Sequence, residues 1–162
     1  MDFRVTPSDN ALKQDVADFV KKEWDPGPFD HGSISWNHVN EEANAITGEF
    51  KKKLVDKGWW TMHWPVEHGG HGVNIGTQLA YREAMAYAGA PQAVGGGLVA
   101  PVLMVIGQDW QKKEFLPQIA KADIEFSQGF SEPNAGSDLA GLQTRAVRDG
   151  DDFVLNGQKI WG

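Results

Sequence analysis

The stretch of this 162-residue sequence best equipped for chemistry is Ser131-Glu132-Pro133-Asn134-Ala135-Gly136-Ser137-Asp138. It offers two hydroxyls, free loop amides and glycine flexibility directly after a predicted strand, which suits the gripping of a polar ligand. The same residue types are those that turns prefer, so on residue types alone an ordinary turn stays open. His63, His68 and His71 invite a metal reading, but their spacing fits no standard helical ligand pair and Glu67 is the one carboxylate close by; no metal site is expected. Gly95-Gly96-Gly97 follows no predicted strand and precedes no Gly-Lys-Ser/Thr, so it is not a phosphate loop. Trp59, Trp60 and Trp64 read as core or interdomain packing. The absence of cysteine removes disulfides, thiolate metal sites and cysteine nucleophiles.

The elements that must position these residues fall into two groups. Thr6-Pro7 predicts a helix start, with Leu12, Val16, Phe19 and Val20 as its buried stripe and an end near Trp24. Pro26 to Ser35 reads as loop, and Asn37 as the cap of a second helix with Ile46, Phe50 and Leu54 inward, Lys51, Lys52 and Lys53 around the solvated side, and Gly58 at its C-terminal end. Residues 59 to 74 predict a packed, ordered connection. A third helix is expected from about Ile75 to Ala88, with Leu79, Glu83 and Tyr87 on one line and Tyr81, Met85 and Ala88 on another. Ala93 to Ile106 reads as a buried helix, and Asp109 as the cap of a short one carrying Phe115, Leu116 and Ile119. Five helices in a row predict an antiparallel bundle.

After residue 122 the period changes. Ile124 to Phe130 reads as a strand, and Leu142 to Arg148 alternates polar and apolar. Asp149-Gly150 is expected to turn the chain into Phe153-Val154-Leu155, and Asn156-Gly157 to turn it again. The expected fold is therefore mainly α with a β segment: a helical domain over 1–122, then the first strands of a β domain over 123–162. So small a sheet is marginal alone, so the chain is expected to stop partway through its second domain.

Apolar residues make up 41% and charged residues 23%, which excludes disorder as the main state. A net charge of -7 repels a phosphate backbone, so no nucleic-acid partner is expected. Gly and Pro interrupt the longest apolar run, which is too short to span a bilayer, so no membrane association is expected. The N-terminus lacks a basic segment followed by an apolar run, and a cytoplasmic protein is expected.

Phe130-Ser131-Glu132-Pro133-Asn134-Ala135-Gly136-Ser137-Asp138-Leu139, then Asp149-Gly150 and Asn156-Gly157-Gln158-Lys159-Ile160-Trp161, closely resembles the start of the middle domain of flavin-dependent acyl-CoA dehydrogenases. Gly58-Trp59-Trp60, Trp64-Pro65-Val66-Glu67-His68-Gly69-Gly70 and Gln111-Lys112-Lys113-Glu114-Phe115-Leu116-Pro117 are similar to motifs of that family's helical N-terminal domain, in order and spacing. The resemblance covers nearly the whole chain. It implies a β-barrel-like middle domain and FAD as cofactor, with Gln128, Phe130 and Ser131 along the flavin and Trp161 packed beside the isoalloxazine. Ser131 stands where many members have Thr, and Gln128 departs from the aromatic residue common at its position. Ser137 matches a position that touches the acyl-CoA.

Oxidation of a Cα–Cβ bond needs a base for the α proton and a hydride acceptor, which the flavin supplies. In the family the base is generally a carboxylate of the C-terminal helical domain, so no catalytic residue is expected in this chain, and Glu132 matches a structural position. The resemblance further implies lipid degradation, electron-transferring flavoprotein as partner, and a homo- or hetero-oligomer, dimer or tetramer. A same-fold flavin oxidase or monooxygenase, and a non-catalytic docking subunit completed by a partner chain, are the alternatives.

Overall fold

A computed structural model describes residues 6–27, 41–91 and 96–160, which form two compact units, Met1–Glu125 and Phe126–Gly162. The first is helical. Helix α1, Pro7–Glu23, opens with a capping box: the Asp9 N–H donates to Thr6 Oγ1 at 3.1 Å, and the Thr6 N–H to the Asp9 carboxylate at 3.0 Å. Asp9 also accepts from Thr77 Oγ1 at 2.8 Å, which ties the start of α1 to α3, Ile75–Tyr87. These contacts, the Thr6 hydroxyl foremost, hold the Asp9 carboxyl below its ordinary range.

Helix α2 is Glu41–Asp56, and its expected cap, Asn37, lies outside the described residues. Gly58 follows with φ +70°, and a Cβ there would stand 2.8 Å from the His71 ring. Phe50 and Leu54 are buried as the spacing predicts. Lys51 is a correction: expected on the solvated side, it is 5% exposed, and its ammonium pairs with Glu125 at the far end of the unit. Burial pushes its pKa down.

Of the two lines expected on α3, the one through Tyr81 and Met85 faces the core, while Leu79 and Tyr87 are exposed. Val16, Val20, Trp24, Phe50, Leu54, Trp60, Tyr81 and Met85 form the main core. The connection over residues 59–74 is ordered as expected, with Trp60, Met62 and Trp64 buried. Its close passes need glycine, because a Cβ on Gly70 would stand 2.1 Å from the Trp64 carbonyl oxygen.

The Ala93 to Ile106 segment departs from expectation. Residues 92–95 lie outside the described set, helix α4 runs Val99–Ile106, and of its side chains only Ala100 is buried. Apolarity alone predicts burial here, yet Val102, Val105 and Ile106 have no element over them among the described residues and are exposed. Helix α5, Asp109–Ala120, is capped by Gln108 rather than Asp109, since the Gln108 N–H donates to Gln111 Oε1 at 2.8 Å and Asp109 is already helical. Trp64, Ala100, Leu116 and Ile119 make a second, smaller core. At the end of α5 the Ala122 N–H donates to Ile119 and the Asp123 N–H to Gln118, both at 3.0 Å, a Schellman closure with Ala122 at φ +57° where glycine is usual.

In the second unit, strands β1, Arg145–Asp149, and β2, Asp152–Asn156, pair antiparallel with Val147 opposite Val154. Three expectations fail here. Residues 124–130 form no strand, and the sheet among the described residues is made of β1 and β2 alone. The hairpin turns on Gly150-Asp151 rather than Asp149-Gly150, and only Gly150 takes positive φ, +62°. Asn156-Gly157 makes no turn; instead Gly157 permits a close pass, since a Cβ there would stand 2.7 Å from Thr144 Cα. The chain is mainly α with a two-stranded β segment, as expected.

Candidate cofactor-binding site

Proline at 133 and asparagine at 134 are turn formers, and the chain reverses there: the Glu132 N–H donates to the Ala135 carbonyl at 2.8 Å and the Ala135 N–H to Glu132 at 3.1 Å. Glu132 and Ala135 are buried, Pro133 and Asn134 exposed. The Glu132 carboxylate accepts from the Gln143 N–H at 2.7 Å, the Thr144 N–H at 2.9 Å and Lys159 Nζ at 2.9 Å. Lys159 Nζ donates also to the Phe130 carbonyl at 3.0 Å, and the Ile160 N–H to the Ser131 carbonyl at 2.9 Å. The hairpin over residues 145–156 thus brings residues 159 and 160 back against residues 130 to 132.

The Thr144 side chain, then the Gln143 amide, Lys159 and the Thr144 amide, bring Glu132 down from the ordinary 4.5 to about 2. Thr144 Oγ1 is buried with no hydrogen bond of full geometry among the described residues, and its side chain still lies close enough to lower the Glu132 pKa. Glu132 is therefore a firmly ionised anchor, in keeping with a structural position.

Of the residues singled out from sequence, Gln128, Phe130 and Ser131 lie on one short stretch, with Gln128 and Phe130 exposed and Ser131 half-buried. Ser137 is exposed beyond the turn, and Trp161 lies outside the described residues. Among the described residues, no hydrogen bond is made by the amides of Gln128, Gly129, Phe130 and Ser131 or by the Ser131 hydroxyl. Free neutral donors next to the exposed Phe130 ring suit a flat ligand with a polar edge. Sequence reasoning missed the role of Lys159; the available signal was its charge, opposite to that of Glu132, on the far side of a predicted hairpin.

The histidines make no such site. His63 is half-buried with its pKa lowered by burial and by Arg82, and His71 packs on Gly58. Among the described residues no three His, Cys, Asp or Glu side chains gather as metal ligands, and no helix is long and apolar enough to cross a membrane.

A capped helical unit followed by a hairpin unit can be compared with known proteins. Residues 6–123 match the model of the acyl-CoA dehydrogenase N-terminal domain. The chain is 52% identical over 167 positions to the acyl-CoA dehydrogenase FadE26 of Mycobacterium tuberculosis, covering 99% of this chain and 40% of that protein. It is 36% identical to the probable acyl-CoA dehydrogenase YngJ of Bacillus subtilis, covering 99% and 41%. The ChsE4-ChsE5 complex of M. tuberculosis superimposes with a TM-score of 0.79 at 38% identity, over 99% of this chain and 40% of that one. The Tcur3481-Tcur3483 steroid ACAD does so with a TM-score of 0.76 at 35% identity, over 99% and 41%. The chain belongs to the acyl-CoA dehydrogenase family and spans about two fifths of the relatives named.

Proposed function

We propose that the chain is the helical domain and initial β segment, divided near residue 122, of an FAD-dependent enzyme that oxidises an acyl-CoA to the 2-enoyl-CoA. The observation that carries this reading is the outward set of unengaged donors at Gln128 to Ser131, beside an exposed aromatic ring, in a member of the acyl-CoA dehydrogenase family. FAD, when bound, supplies the hydride acceptor. The Ser131 hydroxyl and the neighbouring amides would hold its polar edge, where neutral donors stabilise negative charge. Phe130 and Trp161 would flank the ring, Gln128 would lie along it, and Ser137 would meet the acyl-CoA.

Glu132 is not the base. A carboxylate with a pKa near 2 and donors already in place takes up a proton poorly at neutral pH. The base is proposed to come from outside these 162 residues. Electrons would pass to electron-transferring flavoprotein in a cytoplasmic, oligomeric enzyme of lipid degradation. The similarity to a steroid ACAD supports a bulky, steroid-derived acyl group, and the two-component complexes among the similar structures support a hetero-oligomer.

The test uses the polypeptide as its gene encodes it. Bound FAD, and dye reduction faster with a steroid-derived than with a straight-chain acyl-CoA, are expected, while Ser131→Ala weakens FAD binding about tenfold. Absence of FAD from the purified protein would overturn the reading, and stoichiometric peroxide would shift it to an oxidase. Turnover by residues 1–162 alone would show the base to be misplaced.

A further inference from the structure

Three consecutive residues, Phe130, Ser131 and Glu132, are held by two, Lys159 and Ile160. Lys159 Nζ reaches the Phe130 carbonyl at 3.0 Å and the Glu132 carboxylate at 2.9 Å, while the Ile160 N–H takes the Ser131 carbonyl at 2.9 Å. One ammonium therefore bridges both neighbours of Ser131. The Phe130 and Ser131 carbonyls both face Lys159 or Ile160, and the Ser131 N–H and hydroxyl are left without a partner among the described residues. The contact is close-fitting, because a Cβ on Gly129 would stand 3.3 Å from Lys159 Cγ. Glu132 is anchored in turn to the hairpin through the Gln143 and Thr144 amides, so the clamp has a fixed base.

We propose that Lys159, braced by Glu132, is a positioning residue that fixes the Ser131 N–H and hydroxyl toward the flavin, touching neither flavin nor substrate itself. The proposal rests on the flavin reading above. The lysine neutralises the buried carboxylate and orders the segment before any ligand arrives, so the donors need no rearrangement on binding. Methionine matches the length of the lysine stem but cannot bridge two oxygens; arginine keeps the charge and offers a fork of donors.

The experiment compares Lys159→Met, Lys159→Arg, Ser131→Ala and the double variant Ser131→Ala/Lys159→Met in the polypeptide as its gene encodes it. Hydrogen exchange without FAD is read on peptides covering 128–137 and 145–156. Lys159→Met is expected to speed exchange about tenfold at the Glu132 and Ala135 amides and to leave the β1–β2 ladder unchanged. In FAD titrations of the apoprotein, Lys159→Met is expected to raise Kd about tenfold and Lys159→Arg no more than about threefold. The double variant should bind no more weakly than the weaker single variant, because Lys159 acts through Ser131. Unchanged exchange in Lys159→Met, or affinity losses that add in full, would overturn the proposal. Wild-type protein that takes up no FAD overturns the flavin reading; faster exchange in Lys159→Met then still supports the clamp, and unchanged exchange overturns it.

Discussion

Two buried tryptophans, one hydrogen-bonded and one not, give a matched test of how the helical unit is held. Trp60 and Trp24 are 6% and 7% exposed in the same core. Trp60 Nε1 donates to the Ile119 carbonyl at 2.8 Å, locking the end of α5, from which the chain leads out to Phe126. Trp24 Nε1 is buried with no partner among the described residues, while its ring packs on Phe50 at 4.8 Å between centroids. Replacing either by Phe removes the same part of the ring, about 1–2 kcal/mol of packing. Trp60→Phe also loses a hydrogen bond, about 1 kcal/mol. The Ile119 carbonyl keeps the Ala122 N–H at 3.0 Å, so no acceptor is orphaned. The total is about 2–3 kcal/mol. Trp24→Phe instead removes an unsatisfied donor whose burial costs about 1–3 kcal/mol, so the two effects roughly cancel. Urea unfolding followed by circular dichroism at 222 nm reads both variants, and the expected gap between them is about 2–3 kcal/mol at equal m-values. Equal losses, or a larger loss in Trp24→Phe, would refute the assignment of the two indole N–H groups.

The Glu132 carboxyl titrates near 2 in the fold against an ordinary 4.5, so its contribution is complete above about pH 4.5 and is lost as the pH falls toward 2. Protection of the Gln143 and Thr144 amides, corrected for intrinsic exchange, should decline through that window and lose its pH dependence in Glu132→Gln; protection constant down to pH 2 would contradict this. Ala122 holds φ +57° in the Schellman closure of α5, so Ala122→Gly should raise stability by about 0.5–1 kcal/mol, and a lowered melting temperature would count against that strain.

What was legible in the sequence was local. Thr6-Pro7 at a helix start, glycine at 58 and the inward spacing of Phe50 and Leu54 rest on neighbours within a turn or two, and these expectations hold. What was illegible depended on distant partners. Three adjacent lysines look alike in sequence, and Lys51 is the buried one because Glu125 meets it there. Apolarity marked Val99–Ile106 as helix-forming but could not say whether anything covers it, and a period-2 pattern at 124–130 makes no strand without a neighbour. In the hairpin the turn falls on Gly150-Asp151, one position later than Asp149-Gly150 suggests.

The loop at Ser131 shows why the site was half legible. Its motif pointed to candidate ligand-facing residues, but residue types could not separate a binding loop from a turn; the structure shows the turn at 132–135, and the donors at 128–131 are those the proposed flavin reading uses. The turn at 132–135 consumes its own backbone groups, and within the clamp the Glu132 and Lys159 charges cancel each other. A carboxylate left uncompensated next to Ser131 would repel the charge that develops on a reduced flavin; paired with lysine and two amides, it becomes a neutral support. What remains facing outward is a set of neutral donors, which is the requirement for holding a polar edge before and after it gains charge.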